Sequence, residues 1–170
     1  MELFTDPWPH IIIDNALPES ELQALYKRAQ QMPENDSGIS RENLGYDPLV
    51  HLNLSQYFDV LPHRKSNKWQ RLTMLTRTQP NVRYPIHCEI DYKLMSAVVY
   101  LGPNKNNGTR LFDGPNDDDF VKECIWKPNR LFLFCGMDAV TYHDWTSNNL
   151  DRYILGWFIV DGNINPTNAF

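Results

Sequence analysis

The sequence lacks three features that would each place it in a familiar class of protein. No stretch of its 170 residues is long and apolar enough to span a membrane as a helix. The formal net charge of −5 gives no basic excess for binding nucleic acid. The opening segment, MELFTDPWPHIII, has no basic region ahead of a long apolar run and predicts no signal peptide. We therefore expect neither a membrane nor nucleic acid as a partner.

Cysteine is scarce as well, and the three that occur are Cys88, Cys124 and Cys135. An odd number of scattered cysteines does not indicate a disulfide framework. Without an export signal, reduced thiols and a cytoplasmic location are the simplest expectation.

The rest of the composition predicts an ordinary globular protein. Hydrophobic residues make up 42% of the chain, and its length favours one domain over residues 1–170. The run Ile11–Ile13 predicts a short buried strand, and Pro18 suits the first position of a helix with one apolar face. The polar segment Pro33–Pro48 predicts a long loop, which with the residues up to Asn53 is a candidate lid over a substrate.

From Trp69 onward, short segments rich in β-branched and aromatic residues alternate with turn sequences such as GPNKNNG and TSNN. About eight such segments behind one helix predict a mainly β fold with flanking helices, as a sandwich or jelly roll. The predicted strands are Trp69–Thr76, Tyr84–Asp91, Met95–Leu101, Thr109–Phe112, Phe120–Trp126, Arg130–Phe134, Ala139–His143 and Arg152–Val160.

The segment HCEIDYK, which begins at His87, combines a histidine, two carboxylates and a lysine. Side chains two apart on a strand point to the same face, so His87 and Glu89 form a His-x-carboxylate pair. Asp91 lies about 13 Å from His87 on a regular strand, so Glu89 is the better metal ligand. Lys93 lies roughly 20 Å away on the same assumption, and we expect it at a rim or turn.

One more histidine would complete a 2-His-1-carboxylate set, which is typical of non-haem Fe(II) oxygenases. His143, in the segment TYHDW, is the best candidate because it lies near the end of a predicted strand. We expect structural roles for His10, His51 and His63, which sit at a strand start or near turns. The triplet Asp117–Asp119 lacks the graded ligand spacing of a calcium loop and predicts a solvated turn.

Arg152 opens the apolar strand RYILGWFIV, downstream of His143. An arginine at this place either lies in water at the rim of a sheet or points inward to hold an anion through two parallel hydrogen bonds. Ile154 and Phe158 share its face by parity, and they suit the wall of an apolar cavity.

Four segments, in this order, resemble the Fe(II)/2-oxoglutarate-dependent dioxygenases, in particular the prolyl- and lysyl-hydroxylase-like branch. The resemblance covers most of the chain from Trp8 to Val160, except the middle from Pro33 to Asn67. The segments are DPWPHIIIDNALPESEL, YPIHCEIDYKLMSAVVYLGP with NNGTRLFD, KPNRLFLF, and TYHDWTSNNLDRYILGWFIV.

This resemblance implies a double-stranded β-helix, or jelly roll, and a hydroxylase. His87, Glu89 and His143 would bind Fe(II) and form the catalytic centre. Arg152 would hold the distal carboxylate of 2-oxoglutarate, and Tyr84 would hydrogen-bond the same cosubstrate. The reaction would consume O2, convert 2-oxoglutarate to succinate, and oxidise a C–H bond of a peptidyl proline or lysine or of a small molecule.

Two positions depart from the family pattern. Glu89 stands where the family usually has aspartate, and Ile154 stands where many members have a hydroxyl residue. These departures leave open a different class, a jelly-roll binding or structural module with a degenerate, inactive metal site. A third possibility is a cupin-like enzyme that uses another metal, against which the Arg152 strand argues.

Overall fold

Strands dominate the computed structural model, which describes residues 1–62, 66 and 68–163 without the side chains of residues 58 and 59. The strands are β1 (Glu2–Phe4), β2 (His10–Asp14), β3 (Ile39–Asn43), β4 (Trp69–Thr78), β5 (Arg83–His87), β6 (Lys93–Gly102), β7 (Thr109–Phe112), β8 (Phe120–Cys124), β9 (Arg130–Cys135), β10 (Tyr142–Thr146) and β11 (Arg152–Asp161). Helix α1 covers Glu19–Gln30, and 3₁₀ helices cover Val50–Leu52, Leu54–Asp59 and Asp117–Asp119.

The strands form two antiparallel sheets. The larger has seven strands in the order β1-β2-β9-β6-β11-β4-β3, and the smaller has four in the order β5-β10-β7-β8. Side chains from both sheets and from the segments between strands pack in one largely aromatic cluster, which consists of Trp8, Tyr100, Leu111, Cys124, Trp126, Phe132, Phe134 and Ile154. The predicted mainly β fold is confirmed.

Helix α1 covers the other face of the large sheet. Glu19 and Glu21 lie in its first turn and Lys27 and Arg28 in its last, where each sign of charge complements the helix dipole. The helix buries Leu22, Leu25 and Ala29. Burying each leucine contributes roughly 1.5–3 kcal/mol, so packing on the sheet holds the helix in place. Its partners in this core include Leu75, Val99, Leu101, Leu133, Leu155 and Trp157.

Strand β11 lies between β6 and β4, and its two faces meet different surroundings. Tyr153, Leu155, Trp157 and Ile159 join the core under α1. Arg152, Ile154 and Phe158 instead line a cavity on the opposite side of the sheet. The alternation follows from strand geometry, in which successive side chains point to opposite faces.

The structure corrects several of the predicted segments. The strand predicted over Ala139–His143 covers Tyr142–Thr146, so His143 lies near its start and not near its end. The strand predicted over Tyr84–Asp91 ends at His87, and a turn follows at residues 91–92. The loop predicted over Pro33–Pro48 contains β3, an edge strand that pairs with β4. Because β3 (ISREN) leaves most of its side chains at least partly exposed, its sequence lacks the apolar alternation that marks a strand.

The histidines with expected structural roles make backbone contacts. The ring of His10 is buried, with Nδ1 2.8 Å from the carbonyl oxygen of Trp8. Nε2 of His51 lies 2.9 Å from the carbonyl oxygen of Ala16. His63 lies outside the described residues.

Other sequence-based expectations concern exposure and oxidation state. The triplet Asp117–Asp119 forms a short 3₁₀ helix, where a plain turn was expected, and its first two residues are exposed. Cys88, Cys124 and Cys135 are free thiols. Over the described ranges, none of the helices has the length and apolar character to cross a membrane.

Candidate metal and anion site

The pairing of β5 with β10 brings His87 and His143 together. The two residues are Cα partners in the register of these strands, and their ring centroids are 4.3 Å apart. His87 is the last residue of β5, whereas His143 lies near the start of β10. The structure thus unites two side chains that are far apart in the sequence, as the proposed metal pair requires.

Each imidazole makes the same bond to the backbone. Nδ1 of His87 lies 2.8 Å from the carbonyl oxygen of Pro85, and Nδ1 of His143 lies 2.8 Å from that of Thr141. Because a carbonyl only accepts, Nδ1 carries the hydrogen, which leaves the lone pair of Nε2 available to a metal. This bond also fixes the orientation of each ring.

Both imidazoles are neutral near pH 7, the form that binds metals. The pKa of His143 is lowered to about 4, mainly by burial and then by the nearby His87. Burial likewise lowers the pKa of His87.

Glu89 follows the end of β5 and is buried beside the two histidines. Its Oε1 accepts a hydrogen bond of 2.5 Å from Oγ of Ser96, and its Oε2 lies 2.9 Å from Nζ of Lys93. Burial acts to raise the pKa of Glu89, but Lys93, His143 and the Ser96 hydrogen bond outweigh it and hold the pKa at about 2. The carboxylate is therefore anionic.

Lys93 lies at the end of a turn, one of the two positions expected for it, and not at a rim. The turn at residues 91–92, closed by a hydrogen bond from the Lys93 amide to the Ile90 carbonyl, returns the chain towards Glu89. Lys93 therefore lines the cavity, whereas Asp91 is exposed and does not. A straight strand, on which the 20 Å estimate rested, does not exist here.

The donor set suits a metal such as Fe(II), because two neutral imidazoles and one carboxylate form the 2-His-1-carboxylate combination. In the part of the chain that the structure describes, however, no three His, Cys, Asp or Glu side chains converge as closely as a metal ion requires. Glu89 is instead held by Lys93 and Ser96. Metal binding would require its carboxylate to turn towards the histidines.

Arg152 points inward and is almost fully buried, with 1% of its surface exposed. None of its three guanidinium nitrogens has a hydrogen-bond partner among the described residues. The guanidinium carbon lies 4.8, 5.3 and 5.6 Å from the ring centroids of Trp145, Trp126 and Tyr100. Burial lowers the pKa of Arg152 to about 10, yet the group remains charged at pH 7. An unpaired buried cation is costly, so the site suits an anion.

One cavity of about 420 Å³ connects the histidines, Glu89 and Arg152. Its walls are largely apolar, with Met74, Val98, Phe132, Phe134, Ile154 and Phe158 among the lining residues. The residues that line it from β3 and the turn before it are Ser37, Ile39 and Arg41. Part of the predicted lid segment therefore borders the cavity.

Tyr84 lies at the same cavity, with its ring 4.7 Å from that of His87 and stacked on Trp145 at 5.3 Å. Trp145 lines the cavity as well and lies against the guanidinium of Arg152. His143 and Trp145 are two residues apart on β10, so their side chains face the same side of the sheet.

Asp144 was not singled out from the sequence, although it adjoins His143. Its side chain is fully buried and accepts hydrogen bonds from Arg110 on β7 and Arg83 on β5. The Nε–Oδ1 distance to Arg110 is 2.8 Å, and Arg83 Nη2 lies 3.2 Å from Oδ2. Asp144 thus ties together the strands that carry both histidines.

Comparison with solved structures gives matches of similar quality to three prolyl hydroxylases. The prolyl-4-hydroxylase of Pseudomonas putida matches with a TM-score of 0.60 and 15% identity over 89% of this chain and 92% of that one. The prolyl hydroxylase of Trichoplax adhaerens, in complex with a hypoxia inducible factor oxygen degradation domain peptide fragment, gives 0.61 and 18% over 91% and 84%. The viral collagen prolyl hydroxylase of Paramecium Bursaria Chlorella virus-1, in a 2OG complex, gives 0.60 and 14% over 89% and 96%.

The chain has the jelly-roll fold of the prolyl hydroxylases. No protein-family model matches the sequence, and no curated protein matches it either. At these low identities the likeness to the prolyl hydroxylases establishes the fold. The activity has to be argued from the side chains of the cavity.

Proposed function

We propose that residues 1–170 form one Fe(II)- and 2-oxoglutarate-dependent oxygenase domain that hydroxylates a peptidyl side chain or a small molecule. The observation that carries this proposal is the buried, unpaired guanidinium of Arg152 in the same cavity as His87, Glu89 and His143. A metal site alone would not need this cation. A cosubstrate that binds the metal at one end and carries a carboxylate at the other would use both.

The metal would be held by Nε2 of His87, Nε2 of His143 and the carboxylate of Glu89. When bound with 2-oxoglutarate and O2, Fe(II) would supply the oxidation of a substrate C–H bond, with release of succinate and carbon dioxide. The hydrogen bonds of both Nδ1 atoms to carbonyl oxygens keep the imidazoles oriented for this role. Ser96 and Lys93 keep Glu89 ionised before the metal arrives.

The cosubstrate would lie between the metal and Arg152, which would bind its distal carboxylate through parallel N–H donors. Tyr84, which lines the cavity beside His87, would hydrogen-bond the same molecule. The apolar side chains of the cavity would exclude water from the reacting atoms. The 2OG complex of the viral enzyme and the peptide complex of the Trichoplax enzyme, which share this fold, support both kinds of ligand.

One observation favours a second candidate, a jelly-roll binding module with an inactive metal site. Lys93 pairs with Glu89, and within the described ranges no preformed group of metal ligands exists. In that case Arg152 would still bind an anion, without a metal. The two candidates therefore differ in whether anion binding requires the metal.

Anaerobic titration of the purified protein with Fe(II) and 2-oxoglutarate tests the proposal. We expect a metal-dependent absorbance change and, after O2 is admitted, release of succinate. His143→Ala should abolish iron binding, and Arg152→Gln should weaken 2-oxoglutarate far more than iron. Arg28→Gln, which removes an exposed arginine from α1, is the matched control and should change neither.

Metal-independent binding of 2-oxoglutarate would favour the binding module. Absence of binding with and without metal would rule out both candidates. Equal losses of iron and 2-oxoglutarate affinity in Arg152→Gln would indicate unfolding, so the melting temperature of each variant is measured alongside.

A further inference from the structure

The arginines of the protein divide into two groups by their ion pairs. In the part of the chain that the structure describes, those that pair with carboxylates are Arg28, Arg71, Arg77, Arg83, Arg110 and Arg130. The others in that part are Arg41 and Arg152, and neither forms an ion pair there. Both line the cavity that holds the histidines and Glu89. Arg41, on the edge strand β3, is therefore a second cation of this cavity.

The register of the large sheet directs Arg41 towards the cavity. Arg41 is the Cα partner of Thr76 on β4, and Thr76 is in turn the partner of Ile154 on β11. Residues directly opposite each other in a sheet point to the same face, and all three line the cavity. Arg41 is exposed whereas Thr76 and Ile154 are buried, so this row runs from the opening of the cavity to its inner wall.

Arg41 and Arg152 are placed to bind different groups. Two strand spacings separate β3 from β11, and Arg152 lies two residues from Ile154 along β11. The Cα atoms of the two arginines are therefore roughly 12 Å apart. The guanidinium of Arg152 also packs on Tyr100 of β6, which lies on the side of β11 away from β3. A carboxylate held by Arg152 would leave Arg41 for a second anionic group.

The charges around the cavity also favour a second anion. Among the lining residues that the structure describes, Arg41, Lys93 and Arg152 are cationic and Glu89 is anionic. Three cations against one anion leave two positive charges, and the charges of Fe(II) and 2-oxoglutarate would cancel each other. Because the chain as a whole carries a net charge of −5, this positive region is local. Its potential would attract an anionic substrate in preference to a neutral or cationic one.

The opening of the cavity combines this charge with apolar surface. The lining residues that are exposed are Ser37, Arg41 and Ile90. Ile39 and Tyr92, which are close to them in sequence, also line the cavity and are partly buried. A substrate that enters here would meet a guanidinium and apolar side chains together. A molecule with apolar C–H groups and a carboxylate matches both.

We propose that the substrate carries a carboxylate, which Arg41 binds at the opening of the cavity while the carbon to be oxidised lies at the metal. The guanidinium would donate two parallel hydrogen bonds to this carboxylate. The group can belong to a small organic acid, such as a free amino acid, or to an acidic side chain of a peptide. This inference rests on the proposed function, because it names the substrate class of the same site.

Matched pairs of candidate substrates test the inference with the Fe(II)-loaded protein and 2-oxoglutarate. In the first series, free proline, leucine and lysine are compared with their carboxamides. In the second series, blocked peptides that contain proline or lysine near a glutamate are compared with the same peptides containing glutamine. In one series, substrate-dependent succinate release should have a kcat/KM at least about ten-fold higher for the carboxylate member. The series that responds shows whether the substrate is a small acid or a peptide.

Variants of Arg41 connect this preference to the residue. Arg41→Gln should lower kcat/KM for the carboxylate member by about ten-fold and so abolish the preference. Arg41→Lys, which keeps the charge without the paired donors, should retain part of it. Added salt should lower kcat/KM for the carboxylate member more in wild type than in Arg41→Gln, because salt screens an exposed ion pair. Arg71→Gln, a change to an arginine of β4 that pairs with Asp47, is the matched control and should keep the preference.

Three results would overturn the inference. The first is that wild type favours the carboxylate member in neither series. The second is that Arg41→Gln loses activity equally with carboxylates and amides. The third is that Arg41→Gln weakens 2-oxoglutarate itself in anaerobic calorimetry, which would assign Arg41 to the cosubstrate.

The proposed function is tested separately by 2-oxoglutarate binding and by succinate release without added substrate. If the wild-type protein binds and converts 2-oxoglutarate but favours no carboxylate member, the inference fails and the proposed function stands. If it neither binds nor converts 2-oxoglutarate, both fail.

Discussion

The ammonium of Lys93 lies 2.9 Å from Oε2 of Glu89, so the carboxylate assigned to the metal already has a cation beside it. The same ammonium lies 4.6 Å from the ring centroid of Phe158, on the wall of the cavity. A metal ion and Lys93 would therefore compete for one carboxylate. In the ligand-free protein, the ion pair with Lys93 stabilises the buried carboxylate of Glu89.

Replacing Lys93 by methionine should strengthen metal binding. The substitution keeps the length of the side chain and removes a positive charge that repels the incoming cation. We expect the affinity for Co(II) to rise by roughly five- to ten-fold, as measured by anaerobic calorimetry, which corresponds to about 1 kcal/mol. Lys105→Met, the same change at an exposed position, is the control. Weaker Co(II) binding in Lys93→Met would mean that Lys93 orients Glu89 for the metal instead of competing with it.

Asp144 should contribute to stability far more than its neighbour in the same ion-pair cluster. Its buried carboxylate accepts from Arg83 and Arg110, which are themselves partly exposed. Asp144→Asn keeps the shape and removes the charge, so we expect a loss of about 1–3 kcal/mol in the free energy of unfolding by urea. Asp117, whose side chain is 63% exposed, contacts the same arginines. Asp117→Asn should cost less than about 0.5 kcal/mol, and equal effects would contradict the assigned role of Asp144.

Acid should destabilise the ligand-free protein partly through His10. Burial lowers the pKa of His10 below its ordinary value of 6.5, so the folded state favours the neutral ring. Unfolding then takes up a proton, and the stability contributed by His10 is present above pH 6.5 and falls as the pH drops below it. Between pH 7.5 and 5.5, wild type should lose more unfolding free energy than His10→Asn. The difference in slope is at most about 1.4 kcal/mol per pH unit, and parallel slopes would show that His10 does not titrate differently on unfolding.

The docking of α1 depends on the absence of a side chain at Gly102. A Cβ at this position would lie 2.5 Å from Cζ of Tyr26, whose ring packs at 5.4 Å on that of Tyr153. Gly102→Ala should displace the ring and lower the free energy of unfolding by about 1–3 kcal/mol. In a Tyr26→Ala background the same substitution should cost clearly less. An undiminished cost there would place the strain somewhere other than this contact.

The sequence was informative wherever side-chain periodicity decides the structure. The strands over Thr109–Phe112 and from Arg152 onward were predicted closely, because their apolar and β-branched residues alternate between two buried faces. The sequence left two alternatives for Arg152, a rim position in water and an inward position. In the structure Arg152 points inward, where aromatic rings pack around its guanidinium.

The segment around Glu89 shows what periodicity cannot predict. The sequence HCEIDYK predicts a strand that continues past His87, with alternate side chains on one face. The chain instead turns at residues 91–92 and places Lys93 against Glu89. That turn brings Lys93 into a different sheet from His87, a non-local pairing that local sequence does not encode. The edge strand β3 was missed for a related reason, since only its partner β4 makes it a strand.

The two faces of β11 also have a genetic consequence. In a saturation scan of Arg152–Asp161, substitutions at Tyr153, Leu155, Trp157 and Ile159 should lower the amount of soluble protein in the cell, because they disturb the core under α1. Substitutions at Arg152, Ile154 and Phe158 should leave that amount largely intact and change what the cavity binds. Positions that affect abundance would then alternate along the strand with positions that affect ligand preference. Selection could therefore alter either property without the other.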